Sequence, residues 1–68
     1  MIHSDQEFHA VLDRIAHFQA QVQRIREVEA SPANYRASVS GFLAELDHMN
    51  LEVREYLSAH PKELLAVG

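Results

Sequence analysis

The feature that most constrains this chain is a heptad pattern of apolar residues that is interrupted once, at Ser31-Pro32. Apolar residues alternate at spacings of three and four before the interruption, and the same alternation resumes after it. Such spacing is typical of helices that pack against each other along one apolar stripe, at heptad positions a and d. The first stripe comprises Phe8, Val11, Ile15, Phe18, Val22 and Ile25, and the second comprises Tyr35, Val39, Phe42, Leu46, Met49, Val53 and Tyr56.

Capping residues and prolines indicate where the two helices begin and end. Ser4 and Glu7 match the S-x-x-E capping box that opens a helix. Ser31-Pro32 joins a preferred N-cap to the residue best tolerated at the first helical position, and His60-Pro61 should end the second helix. The sequence therefore predicts a single helical domain over residues 1–68, with helix 1 at about 5–29, a turn at 30–33, helix 2 at about 33–59 and a short C-terminal tail at 61–68.

The two stripes match each other when the chain folds back at Pro32. In an antiparallel pair, the a positions of one helix lie beside the d positions of the other. Paired residue numbers then sum to 64, and all six pairs, from Phe8 with Tyr56 to Ile25 with Val39, are apolar on both sides. The sequence thus predicts an all-α fold, an antiparallel two-helix hairpin that resembles a coiled coil.

One side of this hairpin carries leucines outside the two stripes. Leu12, Leu43 and Leu57 occupy e positions, Leu64 lies one heptad further on, and Ala16 is a small neighbour. We call these residues the leucine flank. The g positions on the opposite side are mostly charged or polar. Because a contiguous apolar strip on a small protein usually marks an interface, the leucine flank is the predicted partner interface.

The predicted occupant of the leucine flank is a second copy of the chain. Two hairpins joined by a closed two-fold interface form an antiparallel four-helix bundle. Two alternatives stay open: a monomer whose tail folds back over the flank through Leu64, Leu65 and Val67, and a complex in which a different protein covers the leucines.

Composition narrows the classes of function. A chain of 68 residues without cysteine has no disulfide and no thiol chemistry, and its hydrophobic core is marginal at this size. A formal charge of −4 provides no general attraction to nucleic acid. No apolar run approaches the roughly 18 residues of a membrane span, and residues 1–8 lack the basic start of a signal peptide. We expect a cytoplasmic protein that binds neither nucleic acid nor membrane.

Two sets of side chains have the spacing of metal ligands. His9, Asp13 and His17 recur every four residues on one helix face, and Glu45 with His48 matches the Glu-x-x-His motif of di-iron bundles. Their heptad positions place them on outer faces or at the bundle edge, so we expect no metal, no other cofactor and no catalytic residue. A metal-binding helical bundle is the alternative that these residues leave open.

The segments MIHSDQEF (1–8) and LDHMNLEVREYL (46–57) resemble short bacterial helical-hairpin proteins of the antitoxin and regulator-associated type. Some members of that class precede a helix-turn-helix module, and the residues after Pro61 are too few to form one. The resemblance implies an oligomerisation or partner-binding piece without repressor activity. We therefore expect a non-catalytic protein-interaction or oligomerisation module, with an antitoxin-like component that binds a partner protein as the alternative.

Overall fold

The computed structural model describes residues 1–60, which form two α-helices and no strand. Helix α1 spans Asp5–Val28 and helix α2 spans Pro32–Ser58, with lengths of 24 and 27 residues. The helices pack against each other on either side of the short turn. The prediction of an all-α two-helix hairpin is confirmed. The turn comprises residues 29–31, against the predicted 30–33, and each helix ends one residue before its expected end.

The start of α1 is held by hydrogen bonds from the backbone to side chains. The Ser4 hydroxyl accepts a hydrogen bond from the Glu7 N–H at 3.2 Å, which satisfies one of the unpaired donors of the first turn. The Glu7 carboxylate accepts from the His3 N–H at 2.7 Å. In a standard capping box this carboxylate would return to the Ser4 N–H. The shift by one residue ties the segment before the cap to the helix.

The turn between the helices is held in the same way. The Ser31 hydroxyl accepts from the Asn34 N–H at 3.4 Å, and Pro32 takes the first position of α2. The Glu29 carboxylate accepts from the Ser31 N–H at 3.1 Å. Ser31 therefore caps α2 while its own backbone donor is satisfied by the residue that follows α1, so the reversal leaves few polar groups unpaired.

The core is a narrow seam along the two predicted stripes. Ile15, Leu46 and Met49 form its centre, with Val11, Phe18, Val22 and Val53 packed around them. Val39 is buried nearer the turn and is only 2% exposed. At the open end the rings of Phe8 and Tyr56 stack with their centroids 5.1 Å apart, and this is the contact that the pairing sum of 64 predicts.

A further core residue, Ile2, lies before α1 and outside the heptad pattern. Its side chain is 7% exposed, as buried as Leu46. The chain at Ser4 is extended, so a helical period carried back from Phe8 does not apply to this segment. Sequence periodicity therefore could not identify Ile2 as a core residue.

Gly41 lies inside α2, where a side chain has open space. A methyl group added at its Cα would meet no atom within 4 Å, and its φ is negative as in any helix. Because glycine costs a helix interior about 0.5–1 kcal/mol relative to alanine, we expect Gly41→Ala to raise the free energy of unfolding by that amount. Urea denaturation followed by circular dichroism measures it. A loss of stability would contradict the open space described around this position.

Candidate protein-interaction surface

The three described leucines of the leucine flank are exposed to solvent. Leu12, Leu43 and Leu57 have exposed fractions of 37%, 45% and 63%, and Ala16 is exposed as well. Leu64 lies outside the described residues. A leucine left in water forfeits about 1.5–3 kcal/mol that its burial would contribute. The seam between the two helices therefore buries the a and d residues and leaves the e-position leucines partly exposed to solvent.

The leucine flank is a strip along the hairpin. Leu43 and Leu57 are two heptads apart on α2, which corresponds to about 21 Å at 1.5 Å per residue. The stacking of Phe8 on Tyr56 supports the pairing sum of 64, which places Leu12 of α1 level with Glu52 of α2. Leu12 thus lies between Leu43 and Leu57 along the hairpin axis, and the two helices contribute to one strip.

The opposite side of the open end is covered by the chain's own N-terminal residues. Ile2 is buried and lines a cavity together with Val11, and the N-terminal ammonium of Met1 lies 3.1 Å from a Glu52 carboxylate oxygen. A shallow cavity of about 280 Å³ remains between this segment and the helices. In the described part of the chain, the N-terminal residues therefore cover one side of the hairpin, and no segment covers the leucine flank.

Glu52 is the electrostatic centre of this covered side. Its carboxylate pairs with the N-terminal ammonium and, at 2.9 Å, with His48 Nε2. The hydrogen bond from the ammonium is the main cause that lowers the pKa of Glu52 below its ordinary value of 4.5. Desolvation opposes this effect, while the positive charges of the N-terminus, His48 and Arg14 add to it. The heptad pattern identified Glu52 only as a charged g residue.

The lowered pKa of Glu52 predicts how the free energy of unfolding depends on pH in acidic solution. A carboxyl whose pKa is lower in the folded state stabilises the fold above its unfolded pKa, and that contribution disappears as pH falls through the folded value. We expect Glu52→Gln to reduce the free energy of unfolding above pH 4.5, and the difference from the parent protein to vanish in more acidic solution. Urea titrations on both sides of that pH measure it. Glu45→Gln, an exposed g-position glutamate without an ion pair in residues 1–60, is the matched control.

Tyr56 and Asp5 join the two helices at the open end of the hairpin. The Tyr56 hydroxyl donates a hydrogen bond to an Asp5 carboxylate oxygen. This bond raises the pKa of Tyr56 above its ordinary value of 10.0, with smaller contributions from burial and from the Asp5 charge. The bond connects the first turn of α1 to the last turns of α2, so the stacked rings and the hydrogen bond hold the open end together.

A second groove lies beside the aromatic pair in the middle of the hairpin. Phe18 and Phe42 pack edge to face with ring centroids 5.5 Å apart. With Ser38, Gly41 and Glu45 they line an open, mainly apolar groove of about 310 Å³. Both phenylalanines belong to the predicted seam, but Ser38 is small and Gly41 has no side chain, so the groove beside the rings stays open. The sequence signal for this groove is the pair of small residues one turn before Phe42 and Glu45.

The possible metal ligands lie on exposed surfaces. His9, Asp13 and His17 are exposed on α1, and Glu45 and His48 are exposed on α2. Within residues 1–60, no group of three or more histidine, aspartate or glutamate side chains is placed to hold a metal ion. His48 pairs with Glu52, not with Glu45.

Two other large apolar side chains of the helices are exposed away from the leucine flank. Leu51, at an f position on the outer face of α2, is 49% exposed, and Val28, at a g position beside the turn, is 72% exposed. Isolated apolar residues of this kind are common on protein surfaces. They serve as matched controls for substitutions in the leucine flank.

Neither helix in the described range is apolar enough over a sufficient length to cross a membrane. No protein-family model matches this sequence, and comparisons with curated proteins and with solved structures find no significant match.

Proposed function

We propose that this protein is a non-catalytic interaction module that associates with a second copy of itself through the leucine flank. The product is an antiparallel four-helix bundle in which each hairpin covers the other. The observation that carries the proposal is the difference between the two sides of the hairpin. Leu12, Leu43 and Leu57 are exposed on one side, whereas Ile2 is buried on the other.

The energetics of a small domain support this proposal. The described chain buries five hydrophobic side chains to less than a tenth of their exposed area: Ile2, Ile15, Val39, Leu46 and Met49. Domains of this size have stabilities of a few kcal/mol. The three leucines are 37–63% exposed, so completing their burial contributes about half of the ~1.5–3 kcal/mol of a whole leucine each, which is still a large share. A two-fold interface buries the same three leucines on both copies, so six leucines in all lose contact with water.

The same leucines are available to a different protein. An antitoxin-like component would cover its partner with such a strip, as the resemblance of residues 1–8 and 46–57 implies. We favour the second copy because it needs no further component and because the flank is complementary to itself. A different partner is one outcome of the experiment that follows.

The experiment measures the mass and the thermal stability of the purified full chain over a wide range of concentrations. Sedimentation equilibrium should give twice the chain mass of 7.7 kDa, and the melting temperature should rise with concentration. A folded species of single-chain mass, with a melting temperature independent of concentration, would overturn the proposal. A monomer that is poorly folded alone and gains stability only with a different protein would replace self-association by partner binding.

A further inference from the structure

We infer that the second copy docks in the antiparallel direction, with Leu43 of each chain against Leu57 of the other and Leu12 against its own equivalent. The same arrangement places Asp47 of each chain opposite Arg54 of the other. This inference rests on the proposed self-association and adds the direction and register of the two hairpins. The inference is based on the positions of three leucines and two charged residues along the hairpin axis, measured from the level of Asn50.

The leucines are symmetric about that level. The midpoint between Leu43 and Leu57 falls at Asn50 on α2. The pairing sum of 64 places Leu12 level with Glu52, two residues away, which is about 3 Å along the helix axis. Consider a two-fold axis at this level that lies in the interface and is perpendicular to the helices. It places Leu43 against Leu57 of the second copy and Leu12 against Leu12 of the second copy. The strip is therefore complementary to itself in the antiparallel direction, as a closed two-fold interface requires.

The charges beside the leucines distinguish antiparallel from parallel docking. Asp47 and Arg54 occupy b positions, which adjoin the e positions on a helix surface, and both are exposed. Asp47 lies three residues before Asn50, and Arg54 lies four residues after it. Neither forms an ion pair within residues 1–60. The two-fold axis thus brings Asp47 close to Arg54 of the second copy, and it does so twice.

Parallel docking about a two-fold axis along the hairpin places α2 of each copy over α1 of the other. Asp47 would then lie level with His17 on α1 of the other copy, and Arg54 would lie level with Ala10, so neither would meet an opposite fixed charge at its own level. The antiparallel arrangement pairs opposite charges across the interface, whereas the parallel one leaves both charges without such a partner. The leucines alone permit either direction, so the aspartate and the arginine select the antiparallel one.

The register also determines which part of each hairpin stays outside the interface. From Asn50, α2 extends eight residues to Ser58 and eighteen residues to Pro32. The turn of each copy would therefore project about 15 Å beyond the end of the other copy's α2. Val28, Arg26 and Arg36 lie on these projecting ends and take no part in the proposed contact.

Disulfide trapping tests the direction, because the chain has no cysteine of its own. Three single variants, Leu12→Cys, Leu43→Cys and Leu57→Cys, are each oxidised alone. A fourth sample is an equimolar mixture of Leu43→Cys and Leu57→Cys. All three positions are exposed, so the hairpin itself should fold in every variant. We expect covalent dimers from Leu12→Cys alone and mixed dimers of Leu43→Cys with Leu57→Cys, identified by mass. Each of the last two variants alone should form at least about tenfold less covalent dimer, since its cysteines lie about 21 Å apart.

Other outcomes separate the direction from the association itself. Efficient self-trapping of Leu43→Cys and of Leu57→Cys would show parallel docking and overturn the inference. A dimer by sedimentation that none of these cysteines traps would exclude the leucine contact. A chain that sediments as a folded monomer, with no trapping at position 12, would remove the proposed function and not merely its direction.

Charge exchange provides an independent test that leaves the leucines intact. We expect Asp47→Arg and Arg54→Asp, each alone, to weaken dimerisation about tenfold, because each creates two like-charged pairs across the interface. The double variant should restore the dissociation constant to within about threefold of the parent, because it re-forms both opposite-charge pairs. Glu55→Arg, a charge reversal on the outer face of α2, is the control and should change dimerisation little. A double variant as weak as the singles would overturn the inference.

Discussion

Replacing Leu43 and Leu57 together with glutamate is expected to abolish self-association and to leave a monomer that melts at a lower temperature. The double substitution places two carboxylates per chain, and so four per dimer, in a surface that would otherwise bury leucine. Each charge must lose water without gaining a partner, which costs several kcal/mol per buried carboxylate. The exposed fractions of 45% and 63% indicate that neither leucine belongs to the core of the hairpin. Sedimentation equilibrium and circular dichroism on the same samples measure both effects.

The control for this substitution is another exposed leucine of the same helix. Leu51 is 49% exposed and lies on the outer face of α2, so Leu51→Glu should leave the mass and the melting temperature of the dimer close to those of the parent. Val28→Glu, beside the turn on the opposite side, should behave in the same way. If Leu51→Glu dissociates the protein as strongly as the double variant does, the interface lies on the outer face and not on the leucine flank.

The second large effect is expected from the seam inside one hairpin. Leu46 is 7% exposed and packs with Ile15 and Met49 at the centre of the core. Leu46→Ala removes buried methyl groups and leaves a cavity, which costs about 2–5 kcal/mol in protein cores. In a domain with a stability of a few kcal/mol, this loss should unfold a large fraction of the protein at room temperature. The expected readout is a loss of helical circular dichroism and a denaturation midpoint at much lower urea concentration.

Leu51→Ala is the matched control for the core substitution, because it removes the same atoms from a solvent-exposed position five residues away. We expect its effect on the free energy of unfolding to stay within about 0.5 kcal/mol, the usual range for surface substitutions. Similar losses in Leu46→Ala and Leu51→Ala would contradict the described seam, since they would place both leucines in comparable surroundings.

The contrast between Tyr56 and Glu52 shows which contacts the heptad periodicity of the sequence can predict and which it cannot. Tyr56 is a d residue of a regular helix, so its pairing with Phe8 followed from counting positions on either side of Pro32. Glu52 is a g residue, and the heptad pattern describes it only as charged. Its two partners are the N-terminal ammonium and His48, and the first of these belongs to a segment that has no helical period. Contacts made by extended segments depend on the path of the chain, which periodicity does not encode.

The sequence by itself determined the two helices, the place where the chain reverses and the stripe along which the helices meet. These follow from local physical preferences: capping by serine, the restricted backbone of proline, and the recurrence of apolar residues at helical spacing. Only the tertiary structure decided that Ile2 and the N-terminus cover the side that carries Glu52 and leave the leucine flank exposed. The physical reason is that the N-terminal ammonium pairs with the Glu52 carboxylate on that side, and Ile2 is therefore buried there, in a cavity that it lines with Val11.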